Sequence, residues 1–143
     1  FLERTKGASL RYKLREFWWQ LRYAWQRAWR GYDFTDVFEL GYNFTAKMPV
    51  LLAEFLKNNV GLFYDAEADK QLDKEETNAV IKEMIFYFEN CDEDHVYQRL
   101  HQKRYYEDGE YDPEKWESVR VELERCRTEA LRLFSKWCFH LWY

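Results

Sequence analysis

Glycine and proline are scarce in this 143-residue chain, five and two in all. So little turn material leaves no room for a glycine-rich phosphate cradle, and no P-loop, G-x-G-x-x-G turn or G-x-S-x-G elbow occurs. The three cysteines, Cys91, Cys126 and Cys138, are odd in number and lack C-x-x-C spacing, which argues against a disulfide framework. A reduced, cytoplasmic protein is expected. The three histidines, His95, His101 and His140, do not pair at zinc-helix spacing, so metal catalysis is not expected and no cofactor is implied. No run of about 18 apolar residues is present to span a bilayer, and no signal-peptide apolar region opens the chain, so no membrane partner is expected. Strand-type alternation, repeats and low-complexity tracts are missing as well.

What is abundant is aromatic surface. Phenylalanine, tryptophan and tyrosine make up 20% of the chain, with seven tryptophans, four of them between Phe17 and Trp29. At 47% apolar composition a single helical domain over residues 1–143 can build its core without metal or disulfides. Charge is divided unevenly. Residues 1–30 carry eight Lys/Arg against two Asp/Glu, net +6, and the overall net charge of −4 therefore leaves −10 for residues 31–143. That balance disfavours extensive duplex DNA binding and leaves a local basic site as an option.

The first 31 residues predict a basic, tryptophan-rich helix with two aromatic faces. At about 100° per residue, Leu10, Leu14, Phe17, Trp18, Leu21, Trp25, Ala28 and Trp29 form one broad stripe, expected to be the core face. Tyr12, Trp19 and Tyr23 lie nearly opposite, flanked by Arg15, Arg22 and Arg30. An aromatic strip edged by guanidinium groups can stack a planar ring, hold a phosphate or form a subunit interface, and these six residues are the candidate partner- or ligand-binding site.

Gly31 suits a left-handed helix cap, and Asp33 or Thr35 can cap the next element. Residues 35–60 predict a kinked helix, or two abutting ones, interrupted at Pro49, and residues 62–73 read as irregular and acidic. Residues 73–104 predict a helical pair opened by the capping box Asp73 to Glu76, with Ala79, Val80, Met84, Ile85 and Phe88 inward, then Val96 and Leu100. Asp112-Pro113 is a strong start signal for a long C-terminal helix over residues 112–141, with Trp116, Val119, Leu123, Cys126, Ala130, Leu133, Phe134, Trp137 and Leu141 along one stripe. The C-terminal aromatic run from Trp137 is expected to close a core or an interface. The expected fold is all-α, a four- to five-helix bundle.

Two clusters invite a chemical reading. Asp65, Glu67, Asp69, Asp73 and Glu76 occupy positions 1, 3, 5, 9 and 12 of a loop resembling a calcium-binding EF-hand, except that Lys70 stands where the sharp turn needs glycine. An acidic connection between helices explains the same residues. Asp92, Glu93 and Asp94 beside His95 suggest either an acid/base cluster or a solvated loop. On the last helix, arginines alternating with glutamates (Arg120, Arg125, Arg127 and Arg132; Glu117, Glu122, Glu124 and Glu129) read as a solvated face held by i,i+4 pairs. No constellation supplies nucleophile, base and oxyanion donor together, so an enzyme is the least favoured class.

The junction Ala28-Trp29-Arg30-Gly31-Tyr32-x-x-x-Asp36-Val37-Phe38 resembles a small helical protein family of tailed bacteriophages, whose members carry W-x-G-aromatic-x-x-x-D-V/T-aromatic before an amphipathic helix. The likeness covers roughly residues 20–57. Where the family often continues with a tryptophan-rich or proline-containing loop, this chain has its acidic 62–76 segment. The resemblance implies a viral setting in an infected bacterial host and transfers no catalytic residue. Locally, the junction predicts a cap at Gly31 and aromatic packing of Tyr32, Phe34 and Phe38 across the corner. Together these features lead to the expectation of a non-enzymatic, homo-oligomeric binding protein that captures or inhibits a host protein, with a possible anti-defence role. A structural accessory protein, a signalling-nucleotide sponge and a calcium-binding loop protein are the alternatives.

Overall fold

A computed structural model describes residues 10–109 and 111–141 of the chain. The fold is all-α with a long C-terminal helix, as expected. No helix among the described residues is long and apolar enough to cross a membrane. The chain divides into two compact units, residues 1–43 and 44–143.

The first unit contains α1 (Leu10–Arg30), α2 (Phe34–Phe38) and the start of α3 (Leu40–Asn58). Twenty-one residues without glycine or proline sustain α1. It stops where Gly31 turns to φ +79°, a conformation that costs glycine no Cβ clash, and the Gly31 N–H donates to the Arg27 carbonyl at 2.9 Å. Asp33, not Thr35, then caps α2, accepting from the backbone N–H of Thr35 at 2.7 Å and of Asp36 at 3.1 Å, while its own N–H donates to the Asp36 carboxylate at 3.0 Å. The break in the following helical stretch falls at Glu39, and α3 continues through Pro49.

The stripe of α1 expected to be a core face is instead exposed. Trp18, Trp25 and Trp29 are 66%, 71% and 80% exposed, and Leu14, Phe17, Leu21 and Ala28 share that exposure. Periodicity identifies a face that gains from being covered; it says nothing about whether this chain supplies the cover. The side chain of Leu10 lies outside what is described.

The second unit builds the core. Its hairpin, β1 (Tyr64–Asp65) paired antiparallel with β2 (Lys70–Gln71), corrects the expectation of an irregular segment, and Asp69 takes φ +48° at its turn. With two residues per strand, there is no alternation for a sequence reading to detect. Then come α4 (Lys74–Glu89), α5 (Glu93–His101) and α6 (Pro113–Trp137), capped in turn by Asp73, Asp92 and Asp112. Single 3-10 turns occupy Tyr105–Glu107 and Cys138–His140.

Met48, Leu52 and Phe55 of α3 pack with Phe63, with Ile81, Met84 and Phe88 of α4, and with Ala130, Leu133 and Trp137 of α6. Phe63 stacks on Trp137 at 5.5 Å between ring centres, and Phe44 meets both Phe88 and Phe134 edge-on. Trp137 therefore closes a core, as the C-terminal aromatic run suggested; Trp142 and Tyr143 lie outside the described residues. The buried Thr77 hydroxyl accepts the Phe63 N–H at 3.2 Å, satisfying a donor that the core would otherwise strand. A smaller cluster joins Val96 and Tyr97 of α5 to Val119 and Leu123 of α6. Leu100 and Ala79, both expected inward, are exposed, Leu100 to 38%. The solvated face of α6 pairs Arg120 with Glu117, Arg125 with Glu122 and Arg132 with Glu129, three residues apart rather than four.

Candidate functional site

The second aromatic face of α1 is where geometry gathers binding chemistry. Trp19 and Tyr23, one turn apart, stack at 5.9 Å between ring centres and 29° between planes, and the Arg22 guanidinium lies over the Trp19 ring at 5.4 Å. Beyond them the chain turns at Gly31 and α2 comes back beside the helix. The result is a hollow of about 430 Å³ lined by Trp19, Arg22, Tyr23, Gln26, Arg30, Tyr32, Asp33 and Val37. Four of the six residues singled out from sequence meet there: Trp19, Arg22, Tyr23 and Arg30. Tyr12 and Arg15 do not line it; they form their own pair toward the start of α1, with the guanidinium 5.3 Å from the ring centre.

A polar clamp fixes the far wall. The Arg27 guanidinium reaches Asp33 Oδ2 at 2.6 Å and Asp36 Oδ2 at 3.6 Å, while the Thr35 hydroxyl donates to Asp33 Oδ1 at 2.6 Å. Asp33 is buried, and Oδ2 faces Arg27 without taking a hydrogen bond in line with it. The Thr35 hydroxyl bond, the Asp36 and Thr35 backbone N–H groups and nearby Arg27 hold the Asp33 carboxyl below the usual carboxylate range, outweighing its burial. The corner thus carries a charged clamp; Tyr32 and Phe38 are 51% and 73% exposed, and the Phe34 side chain, on which the expected aromatic packing also depends, lies outside what is described. Arg27, Asp33, Gln26, Tyr32 and Val37 were missed as site residues. The spacing of Asp33 and Asp36, cap and third helical residue, was the available signal for the clamp.

Arg22 and Arg30 differ from Arg27 in having no carboxylate partner among the described residues. The hollow therefore presents two guanidinium groups beside an aromatic stack, with its single carboxylate already committed to Arg27 and the helix cap.

The five acidic residues of the calcium-like loop do not converge. Lys136 takes Asp65 at 3.1 Å and Glu67 at 2.8 Å, and Lys70 takes Glu76 at 2.6 Å. Asp69 accepts from the Tyr64 hydroxyl, and Asp73 and Glu76 complete the cap of α4. Lys70, at the position where an EF-hand turns on glycine, is thus itself an ion-pair partner. Among the described residues no group of three or more His, Cys, Asp or Glu is placed to hold a metal ion. Asp92 is occupied in capping α5, accepting from Asp94 N–H at 2.7 Å and His95 N–H at 3.3 Å, which gives that acidic run a structural role.

No known protein family matches the chain, and no curated protein or solved structure is similar enough to it to suggest a function. What the hollow takes has to be inferred from its own chemistry.

Proposed function

We propose that this chain is a non-enzymatic binding protein that captures its partner in the α1 hollow. The observation that carries this reading is the pair of guanidinium groups without a carboxylate partner among the described residues, Arg22 and Arg30, beside the Trp19–Tyr23 stack. Arginine, tryptophan and tyrosine are the residues over-represented where binding energy concentrates, and an arginine without an internal carboxylate offers its full set of donors to an incoming one. The favoured occupant is a side chain of a protein partner, aromatic or acidic, inserted between ring and guanidinium. The lining contains no cysteine, serine or histidine, so no nucleophile with an adjacent base is at hand. The phage-like junction supports a viral setting, in which the partner is a host factor and capture inhibits it or counters a defence.

A second reading is favoured by size. A volume of about 430 Å³ falls in the range of small-molecule sites, and a nucleotide would stack its base on Trp19 or Tyr23 with phosphate on Arg22 or Arg30.

Native mass spectrometry of the protein purified from its own host cells, wild type beside Trp19→Ala/Tyr23→Ala, tests both. Retained mass of protein size in the wild type only, with oligomer mass unchanged, supports partner capture, and retained mass of nucleotide size selects the second reading. Loss of the oligomer in the variant would instead assign these aromatics to assembly, and identical spectra without any adduct would overturn capture.

A further inference from the structure

The opposite side of α1 carries a separate message. Leu14, Phe17, Trp18, Leu21, Trp25 and Trp29 form an apolar face about 120° wide, all of it exposed. It is bordered by cations: Lys13 lies beyond one edge, Arg22 and Arg15 beyond the other, while Glu16, the only acid in the helix, falls on the far side. We propose that this face docks α1 in the plane of an anionic lipid bilayer surface, with the indoles at the headgroup boundary and the cations reaching the phosphates.

The geometry fits that occupant in three ways. A helix lying in the interface needs a wide apolar face and cationic edges whose long side chains extend from the apolar zone to the headgroups. Tryptophan, apolar in body with a single N–H to hydrate, prefers that boundary, and three indoles lie on this one face. The charge is complementary: α1 contains six Lys/Arg and one Glu, net +5, the sign that anionic headgroups attract. The expectation of no membrane partner followed from the lack of a spanning segment, and a helix lying on the surface does not need one.

A second copy of the chain is the competing cover, because Leu14, Trp18, Leu21, Trp25 and Ala28 also fall at coiled-coil spacing. Two α1 helices would place +5 against +5. In a second copy, Glu117, Glu122 and Glu129 of α6 and Asp65 and Glu67 of the hairpin are already paired with Arg120, Arg125, Arg132 and Lys136 of their own unit. Lipid phosphates carry no such internal partners.

The test is flotation of the full chain with vesicles of phosphatidylcholine alone and of equimolar phosphatidylcholine and phosphatidylglycerol, with solution mass measured by light scattering. The proposal predicts binding to the anionic vesicles, weakened by salt, and a drop of at least roughly tenfold in partitioning for Trp18→Ala/Trp25→Ala, both exposed positions. Circular dichroism confirms that this variant stays helical. Trp19→Ala/Tyr23→Ala, on the other face, retains binding, which keeps this result distinct from partner capture. Absence of binding to anionic vesicles overturns the proposal, as does a wild-type dimer that becomes monomeric in Trp18→Ala/Trp25→Ala, which would identify a second copy as the cover.

Discussion

Asp33 shows how much a single side chain organises here. One buried carboxylate caps α2, binds the Thr35 hydroxyl and pairs with Arg27, so the far wall of the hollow depends on it. Asp33→Ala is expected to lower hydrogen-exchange protection of the Thr35 and Asp36 amides by roughly five- to tenfold, the usual effect of losing an N-cap, while Asp33→Asn retains most of it. Unchanged protection in the alanine variant would show that the cap does not hold the corner. Much at this scale was legible beforehand, because capping is local: Gly31, the Asp73 to Glu76 box and Asp112-Pro113 act within four residues of sequence. The ion pair between Arg27 and Asp33 was not, since it spans the turn that the glycine creates and nothing in the spacing of α1 marks Arg27 apart from its neighbours. The same holds for Lys136, whose partners Asp65 and Glu67 lie some 70 residues away in sequence.

At the scale of elements, helices were readable and their surroundings were not. The apolar stripes of α4 and α6 predicted buried faces, and Met84, Phe88, Val119, Leu123, Cys126, Ala130 and Leu133 are buried. The stripe of α1 is at least as apolar, yet it is exposed. The difference is one of partnership: α4 and α6 run along each other, and Phe88 and Phe134 meet edge-on across the seam. An amphipathic pattern states a preference for burial, and only tertiary structure answers it. The hairpin failed in the opposite direction, being too short to leave a pattern. Lys70 with Glu76, and Lys136 with Asp65 and Glu67, fasten the hairpin to α4 and α6, while Asp69 takes the Tyr64 hydroxyl and Asp73 caps α4, so the five acids that resemble a calcium loop each serve the fold. The candidate site was half legible: the second face of α1 named Trp19, Arg22, Tyr23 and Arg30, and the wall built by Tyr32, Asp33 and Val37 required the turn itself.

For the whole molecule, Asp108 and Glu122 are the carboxylates shifted furthest down, beside smaller shifts at others such as Asp33 and Asp65, and they weigh most on the response to acid. Asp108 is held at about 2 by the Lys115 ammonium and the Tyr97 hydroxyl, with Lys103 adding to the effect. Glu122 is likewise held at about 2 by Arg125 and, against some burial, by Arg99. Both values lie below those of the unfolded chain, so the folded state binds fewer protons than the unfolded one across that interval, and stability present above the ordinary carboxylate range is lost as pH falls toward about 2. The melting temperature is expected to decline from about pH 5 downward, and Asp108→Asn and Glu122→Gln should each make that decline shallower while lowering stability at neutral pH. Wild-type slopes in both variants would contradict these pairings. The same charges bear on function. Most cations of the second unit are matched to acids within it, whereas Arg22 and Arg30 of α1 have no carboxylate partner among the described residues, which is why binding is assigned to the first unit. Placing a photo-cross-linking residue at Val37, on the exposed rim of the hollow, and irradiating intact host cells tests that assignment most directly. The account predicts a discrete cross-linked species at Val37 that disappears with Trp19→Ala/Tyr23→Ala and is absent when the same residue replaces exposed Val121 on α6. No adduct at Val37, or one that persists without the two rings, would contradict it.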